Sequence, residues 1–177
     1  MRVIFLRHGE SEYNVKGLIN QNPKVLVALT TRGRKQAKEV AKKLNDLGFD
    51  AIFISEFPRT KQTAEIINKK RGLSIIVDKK LNEVRVGHEG ETSKESGFYS
   101  IRDFFTYNEK GFETWKEFKT RIKSFFGELK KSNYESVLVV AHEWIVTVAN
   151  AIVNNLTDEE MLASGKIGNC EFVELEI

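Results

Sequence analysis

One cysteine, two prolines and three histidines in 177 residues leave few ways to staple this chain or load it with metal. A single Cys170 cannot close an internal disulfide, so the fold is expected not to need an oxidising compartment and the protein to be cytoplasmic. No apolar run approaches the roughly 20 residues that a membrane span requires. Met1 leads directly into a strand-like run, without the basic and apolar regions of a secretory signal. Charge of one sign is also lacking: the net charge is +3 and the basic and acidic residues are interspersed. With no basic block, RNP-like aromatic motif or zinc-finger spacing, neither nucleic acid nor membrane is an expected partner. Internal repeats, low-complexity tracts and Gly/Ser linkers are absent too. What is present is 41% hydrophobic and 30% charged residues, enough for one sizeable core, so residues 1–177 are expected to form a single globular domain.

Continuous apolar runs at Val3–Leu6, Ala51–Ile54, Ser74–Val77 and Val137–Ala141 predict strands covered on both faces. Glu171–Ile177 alternates polar and apolar residues, which predicts an edge strand with one wet face. Helical periods lie between them, at Gly33–Leu47, Pro58–Lys70, Trp115–Leu129 and Trp144–Val153, and Thr157 to Glu160 is a capping-box pattern. Alternating strands and helices predict an α/β fold with a mainly parallel sheet and right-handed crossovers, the C-terminal strand lying at its edge. The segment from about 87 to 112 is the least regular, rich in glycine and aromatic residues, and is expected to be an inserted loop or lid.

In an open α/β sheet, ligands sit beyond the carboxyl ends of the strands. Arg7, His8 and Asn14 follow the first strand, Arg59 lies in the helix turn beyond the second, and His142 follows the run ending at Ala141. Guanidinium forks suit phosphate oxygens, and helix N-termini offer free N–H donors in positive potential. An arginine after a strand is ordinarily a surface charge and a lone histidine ordinarily structural. Their repetition at several strand ends is what predicts a phosphate-binding site. Gly9 is expected to let the chain leave the strand in an unusual conformation and to let backbone approach the ligand.

The segment Leu6-Arg-His-Gly-Glu-Ser11 with Asn14 resembles the signature of the histidine phosphatase superfamily, which includes cofactor-dependent phosphoglycerate mutases. The resemblance continues in order. It runs through Leu29-Thr30, Gly33, Gln36 and Ala37, then Ser55, Arg59-Thr60 and Gln62 to Glu65. Leu81, Glu83, Gly87 and Glu89-Gly90 follow, then Val140-Ala141-His142 and Asn169. It implies a three-layer α/β/α fold and phosphoryl transfer through a phosphohistidine, with His8 as nucleophile and Glu83 as proton donor. Arg7, Arg59 and His142 would surround the phosphate and Asn14 would donate a further hydrogen bond. The implied substrate is a small phosphorylated molecule.

Two positions depart from the family pattern. Glu143 follows the second histidine where glycine is common. An acid in the first turn of a helix complements its dipole by about 0.3–1 kcal/mol. A carboxylate there could instead weaken anion binding or favour a cationic substrate, and the dipole reading is the simpler. Asn20-Gln21 stands where relatives commonly show Gln-Gly, and Asn20 is retained as a candidate substrate contact. His88 is assigned to a loop: no metal and no cofactor are expected, since ligand spacing is lacking and two arginines would repel a cation. An aromatic segment at Phe98, Tyr99, Phe104, Phe105 and Tyr107, with only Arg102 and Lys110 as cations, favours a phosphomonoester phosphatase over a phosphoglycerate mutase. A non-catalytic phospholigand-binding module is the third reading. Oligomeric state is not indicated by the sequence.

Overall fold

The computed structural model describes residues 1–96 and 111–177. The middle of the expected lid, with the aromatic residues from Phe98 to Tyr107, lies outside them. In chain order the elements are β1 Arg2–Arg7, α1 Glu12–Lys16, α2 Thr31–Lys43, β2 Ala51–Ile54, α3 Pro58–Asn68 and β3 Ser74–Val77. A 3₁₀ turn Lys79–Leu81 and α4 Ser93–Ser96 precede α5 Trp115–Leu129, β4 Ser136–Ala141, α6 Glu143–Val153, α7 Asp158–Ala163 and β5 Phe172–Glu176.

The five strands form one sheet in the order β3-β2-β4-β1-β5, in which only β5 runs antiparallel. Successive side chains of a strand point to opposite faces, and this period divides the core in two. Ile4, Leu6, Ile52 and Val140 pack under α2 and α3, while Val3, Phe5, Phe53 and Val139 pack under α5 and α6. The three-layer α/β/α architecture follows from these two cores, and β5 occupies an edge as expected.

On α5, Trp115, Phe118, Ile122, Phe125, Phe126 and Leu129 are all buried along one stripe, and Thr114 and Glu117 close a capping box at its start. Six such side chains at about 1.5–3 kcal/mol each outweigh a cap worth about 1 kcal/mol. The stripe therefore decides where the helix lies and the cap decides where it begins.

Two sequence expectations are corrected. β3 is not covered on both faces: it is the other edge strand, and Val77 is 57% exposed. Its apolar composition matches that of a central strand, and only its place in the strand order distinguishes it. The helix expected to reach Leu47 ends at Lys43, because Leu44, though buried, already sits at the C-cap.

Gly9 serves a different purpose from the one expected. It is not among the glycines with positive φ. Instead, the first turn of α2 rests on the backbone after β1: a Cβ on Gly9 would lie 2.6 Å from the Gly33 carbonyl oxygen, and one on Gly33 would lie 2.0 Å from that of Glu10. Glu10 strengthens the same contact, accepting from the Thr30 hydroxyl at 2.7 Å while its amide donates to Gln36 at 2.9 Å. Helix propensity favours Gly33→Ala by about 1 kcal/mol, but the clash is with backbone that cannot rotate away. The substitution is expected to destabilise the protein by about 2 kcal/mol or more, read as a lower urea midpoint.

Candidate active site

β2, β4 and β1 are parallel neighbours at the centre of the sheet, so their carboxyl ends open onto one place. β1 delivers Arg7 and His8, β4 delivers His142, and the turn after β2 delivers Ser55 and, one helical turn later, Arg59. His8, Arg59 and His142 are all buried, with His142 fully so.

The His8 ring is held by its own neighbour. Nδ1 lies 2.7 Å from the Gly9 carbonyl oxygen and donates to it. Nε2 therefore keeps its lone pair, which accepts from Arg59 Nε at 3.0 Å. The surrounding backbone is anchored by Gly9 N donating to the Thr63 hydroxyl at 3.1 Å and by Asn169 Nδ2 donating to the His8 carbonyl at 3.0 Å. Burial holds the imidazole well below its ordinary pKa, with Arg59 and Arg7 acting in the same direction and the Gly9 carbonyl opposing. His8 is thus neutral, with its nucleophilic nitrogen fixed.

His142 lies across from it, ring centroids 5.3 Å apart. Arg59 Nη2 donates to its Nδ1 at 3.0 Å, so Nε2 carries the proton and donates to Ser55 Oγ at 2.8 Å. Burial and the charge of Arg59 hold this histidine well below its ordinary pKa as well. Phe57 packs its ring edge against His142 and lies under the guanidinium of Arg59 at 4.4 Å.

Arg59 sits at the start of α3, where Pro58 occupies the first turn. Its guanidinium also donates to Asn20 Oδ1. Burial lowers its pKa to about 10, opposed by the charges of Glu83 and Glu89, so it remains a cation at neutral pH. Asn20 is accordingly beside the site, but with both ends engaged: its oxygen accepts from Arg59 and its nitrogen donates to Glu89 at 3.0 Å. Glu89 further receives the amides of Gln21 and Asn22 at 2.7 and 2.8 Å, which fixes this loop.

Arg7 Nη1 donates to the Ile167 carbonyl at 2.6 Å and pairs with Glu143 at 2.8 Å, while its Nε is buried without a hydrogen-bond partner among the described residues. Glu143 does begin α6, as the dipole reading expects, but it also faces a site arginine. Asn14 is exposed in α1. Its oxygen closes a capping box with the amide of Ser11 at 3.0 Å, leaving the amide nitrogen as the outward donor.

Glu83 arrives from the segment after the 3₁₀ turn, anchored by the buried Leu81. Its carboxylate accepts from Val84 N at 3.0 Å and from Trp144 N, at the start of α6, at 3.4 Å. Burial pushes its pKa up to about 7. Glu143 adds to the rise, and Arg59 and the two amides oppose it. Glu83 also walls a cleft of about 490 Å³ shared with Gln21, Lys79, Asn82 and Arg85. His88 pairs with Glu91 at 2.9 Å, and no group of three or more metal-binding side chains occurs among the described residues.

Residue-by-residue reading missed two contributors. Ser55 accepts from His142 Nε2, where the Arg59 contact fixes the proton, a role hinted at only by its place four residues before Arg59. Phe57 forms the apolar wall, and nothing in the sequence marks it.

The chain matches the histidine phosphatase superfamily (branch 1) over residues 3–177. An adenosylcobalamin/alpha-ribazole phosphatase from Escherichia coli K12 is 27% identical over 173 residues, covering 91% of this chain and 83% of that protein. A probable phosphoglycerate mutase from Escherichia coli O1:K1 is 37% identical over 90 residues, 49% of this chain and 40% of that one. Among solved structures, a mycobacterial glucosyl-3-phosphoglycerate phosphatase in complex with VO3 superposes with a TM-score of 0.86 at 26% identity, covering 99% of this chain and 92% of that one. With the ordered motifs and the buried His8–Arg59–His142 cluster described above, the chain belongs to the histidine phosphatase superfamily.

Proposed function

We propose that this protein is a phosphatase that hydrolyses small phosphomonoesters through a phosphohistidine on His8, with Glu83 as proton donor. The observation that carries the reading is the fixed tautomer of His8: Nδ1 is committed to the Gly9 carbonyl, so the lone pair on Nε2 faces the arginine that would hold the phosphate. Phosphoryl transfer asks of a protein chiefly in-line positioning and neutralisation of the equatorial oxygens. Arg7, Arg59 and His142 supply these, and the outward amide of Asn14 is a further donor.

In the first step the His8 Nε2–P bond forms as the ester P–O bond breaks, and Glu83 gives its proton to the departing alcohol oxygen. In the second, the Glu83 carboxylate takes a proton from water as that water attacks phosphorus. The N–P bond then breaks and returns neutral His8 and orthophosphate. A carboxyl with a pKa of about 7 is divided between the two forms each step needs. We assign the leaving group to the cleft that Glu83 walls. The similarity to two proteins named as phosphatases over most of both chains supports hydrolysis over isomerisation.

His8→Ala is expected to lower kcat/KM for p-nitrophenyl phosphate by about a thousandfold or more and to abolish acid-labile labelling. Full turnover by this variant would exclude the mechanism. Efficient isomerisation of 3-phosphoglycerate dependent on a bisphosphate primer would replace the hydrolase with the mutase.

The pH profile of kcat/KM is expected to fall on the alkaline side near the Glu83 pKa of about 7 and on the acid side only well below pH 6.5, where His8 protonates. Glu83→Gln should lower the rate on alkyl phosphates by about 10²–10⁴-fold and remove the alkaline limb. The same variant reports on stability. The folded pKa of Glu83 lies above its ordinary 4.5, so its ionised form disfavours the fold as pH rises from that value through about 7. Glu83→Gln should therefore raise the melting temperature at about pH 8 and leave it nearly unchanged at about pH 4.

A further inference from the structure

Arg7 offers five N–H donors, and the structure divides them unevenly. Nη1 donates to the Ile167 carbonyl at 2.6 Å, and Glu143 Oε2 lies 2.8 Å from the same nitrogen as an ion pair. Nε, buried, has no partner among the described residues. The guanidinium is thereby held through Nη1, and the edge formed by Nε and Nη2 is left as a fork of two parallel donors, the geometry that grips two oxygens of one phosphate.

Glu143 is the adjustable half of this clamp. Its side chain is only 17% exposed, and its other oxygen lies 4.0 Å from Lys166, whose side chain is 81% exposed. Helix-dipole compensation does not require the carboxylate to turn towards Arg7; an acid in a first turn is served equally by pointing to solvent. Its inward orientation therefore calls for a separate account.

We infer that Glu143 is a positioning residue: by pairing with Arg7 Nη1 it presents the Nε/Nη2 edge to the transferring phosphoryl group, and its negative charge weakens the hold of that edge on free phosphate. The inference rests on the phosphatase reading above. The two effects have opposite signs. A fixed fork meets the in-line transition state without a search for orientation, which raises kcat. A carboxylate sharing the same guanidinium repels any phosphate, which loosens substrate and product alike and favours release of orthophosphate.

Two substitutions separate the effects. Glu143→Gln keeps an oxygen acceptor for Nη1 and removes the charge, whereas Glu143→Ala removes both. Orthophosphate is titrated calorimetrically at about pH 6 into each protein and into each with Glu83→Gln added, because Glu143 itself raises the Glu83 pKa and the added substitution removes that titration. Steady-state kinetics with p-nitrophenyl phosphate are run at the same pH.

Glu143→Gln should bind orthophosphate about three- to tenfold more tightly and lower KM in proportion, a gain that a purely structural role would not produce. Glu143→Ala should lower kcat by about tenfold with only a small fall in melting temperature, from the lost helix-dipole and ion-pair interactions. Unaltered or weaker orthophosphate binding by Glu143→Gln overturns the inference, as does wild-type kcat in Glu143→Ala. If Glu143→Ala does not fold, the Glu143→Gln titration decides alone. Absence of His8-dependent turnover in the wild type would instead sink the phosphatase reading, and the orthophosphate titrations would still report on Arg7.

Discussion

The site depends on one buried cation shared by two imidazoles. Arg59 donates through Nε to His8 and through Nη2 to His142, each at 3.0 Å. Removing a guanidinium from water costs several kcal/mol unless its hydrogens are matched and its charge answered. Asn20 accepts from it, the face of Phe57 lies under it, and Glu83 and Glu89 supply the opposite charge. Burial, and after it the cation, keeps both rings neutral, and the cation's two donations leave the proton of each ring on the other nitrogen.

The same desolvated space drives the two titrating partners apart. Burial disfavours charge of either sign, so it lowers the pKa of His8 and raises that of Glu83. A neutral base and a protonated acid then coexist near neutral pH, although free histidine and glutamate have the opposite order of pKa values. Glu83 is tuned further by opposing neighbours, the Val84 amide, Arg59 and the Trp144 amide lowering its pKa and Glu143 raising it.

Much of this was legible in the sequence. Side-chain periods locate the strands, and the stripe on α5 is read without error because packing there agrees with local pattern. His8, Arg59 and His142 stand out because reactive residues recur at strand ends, and the family resemblance supplies Glu83, which an ordinary loop glutamate would not suggest. The failures have a common cause. β3 looks like a central strand until the strand order is known. Gly9 suggests backbone freedom, whereas the reason for it is Gly33, distant in sequence. Glu143 is correctly placed at a helix start, yet its partner comes from β1. In each case the deciding contact is long-range, and periodicity carries no information about it.

The approach of Gly9 to Gly33 has a mechanical meaning beyond steric fit. Most contacts between a helix and a sheet pass through side chains, which have rotamers and can absorb a shift of the helix by repacking. Here two stretches of main chain meet with nothing between them to compress, and Gly9 is the residue whose carbonyl holds the His8 ring. α2 carries none of the reactive groups, but it acts as a hard stop for the one that does. Its outer surface and much of its core packing are free to drift, while the height of the nucleophile above the sheet is registered against a contact that has no slack.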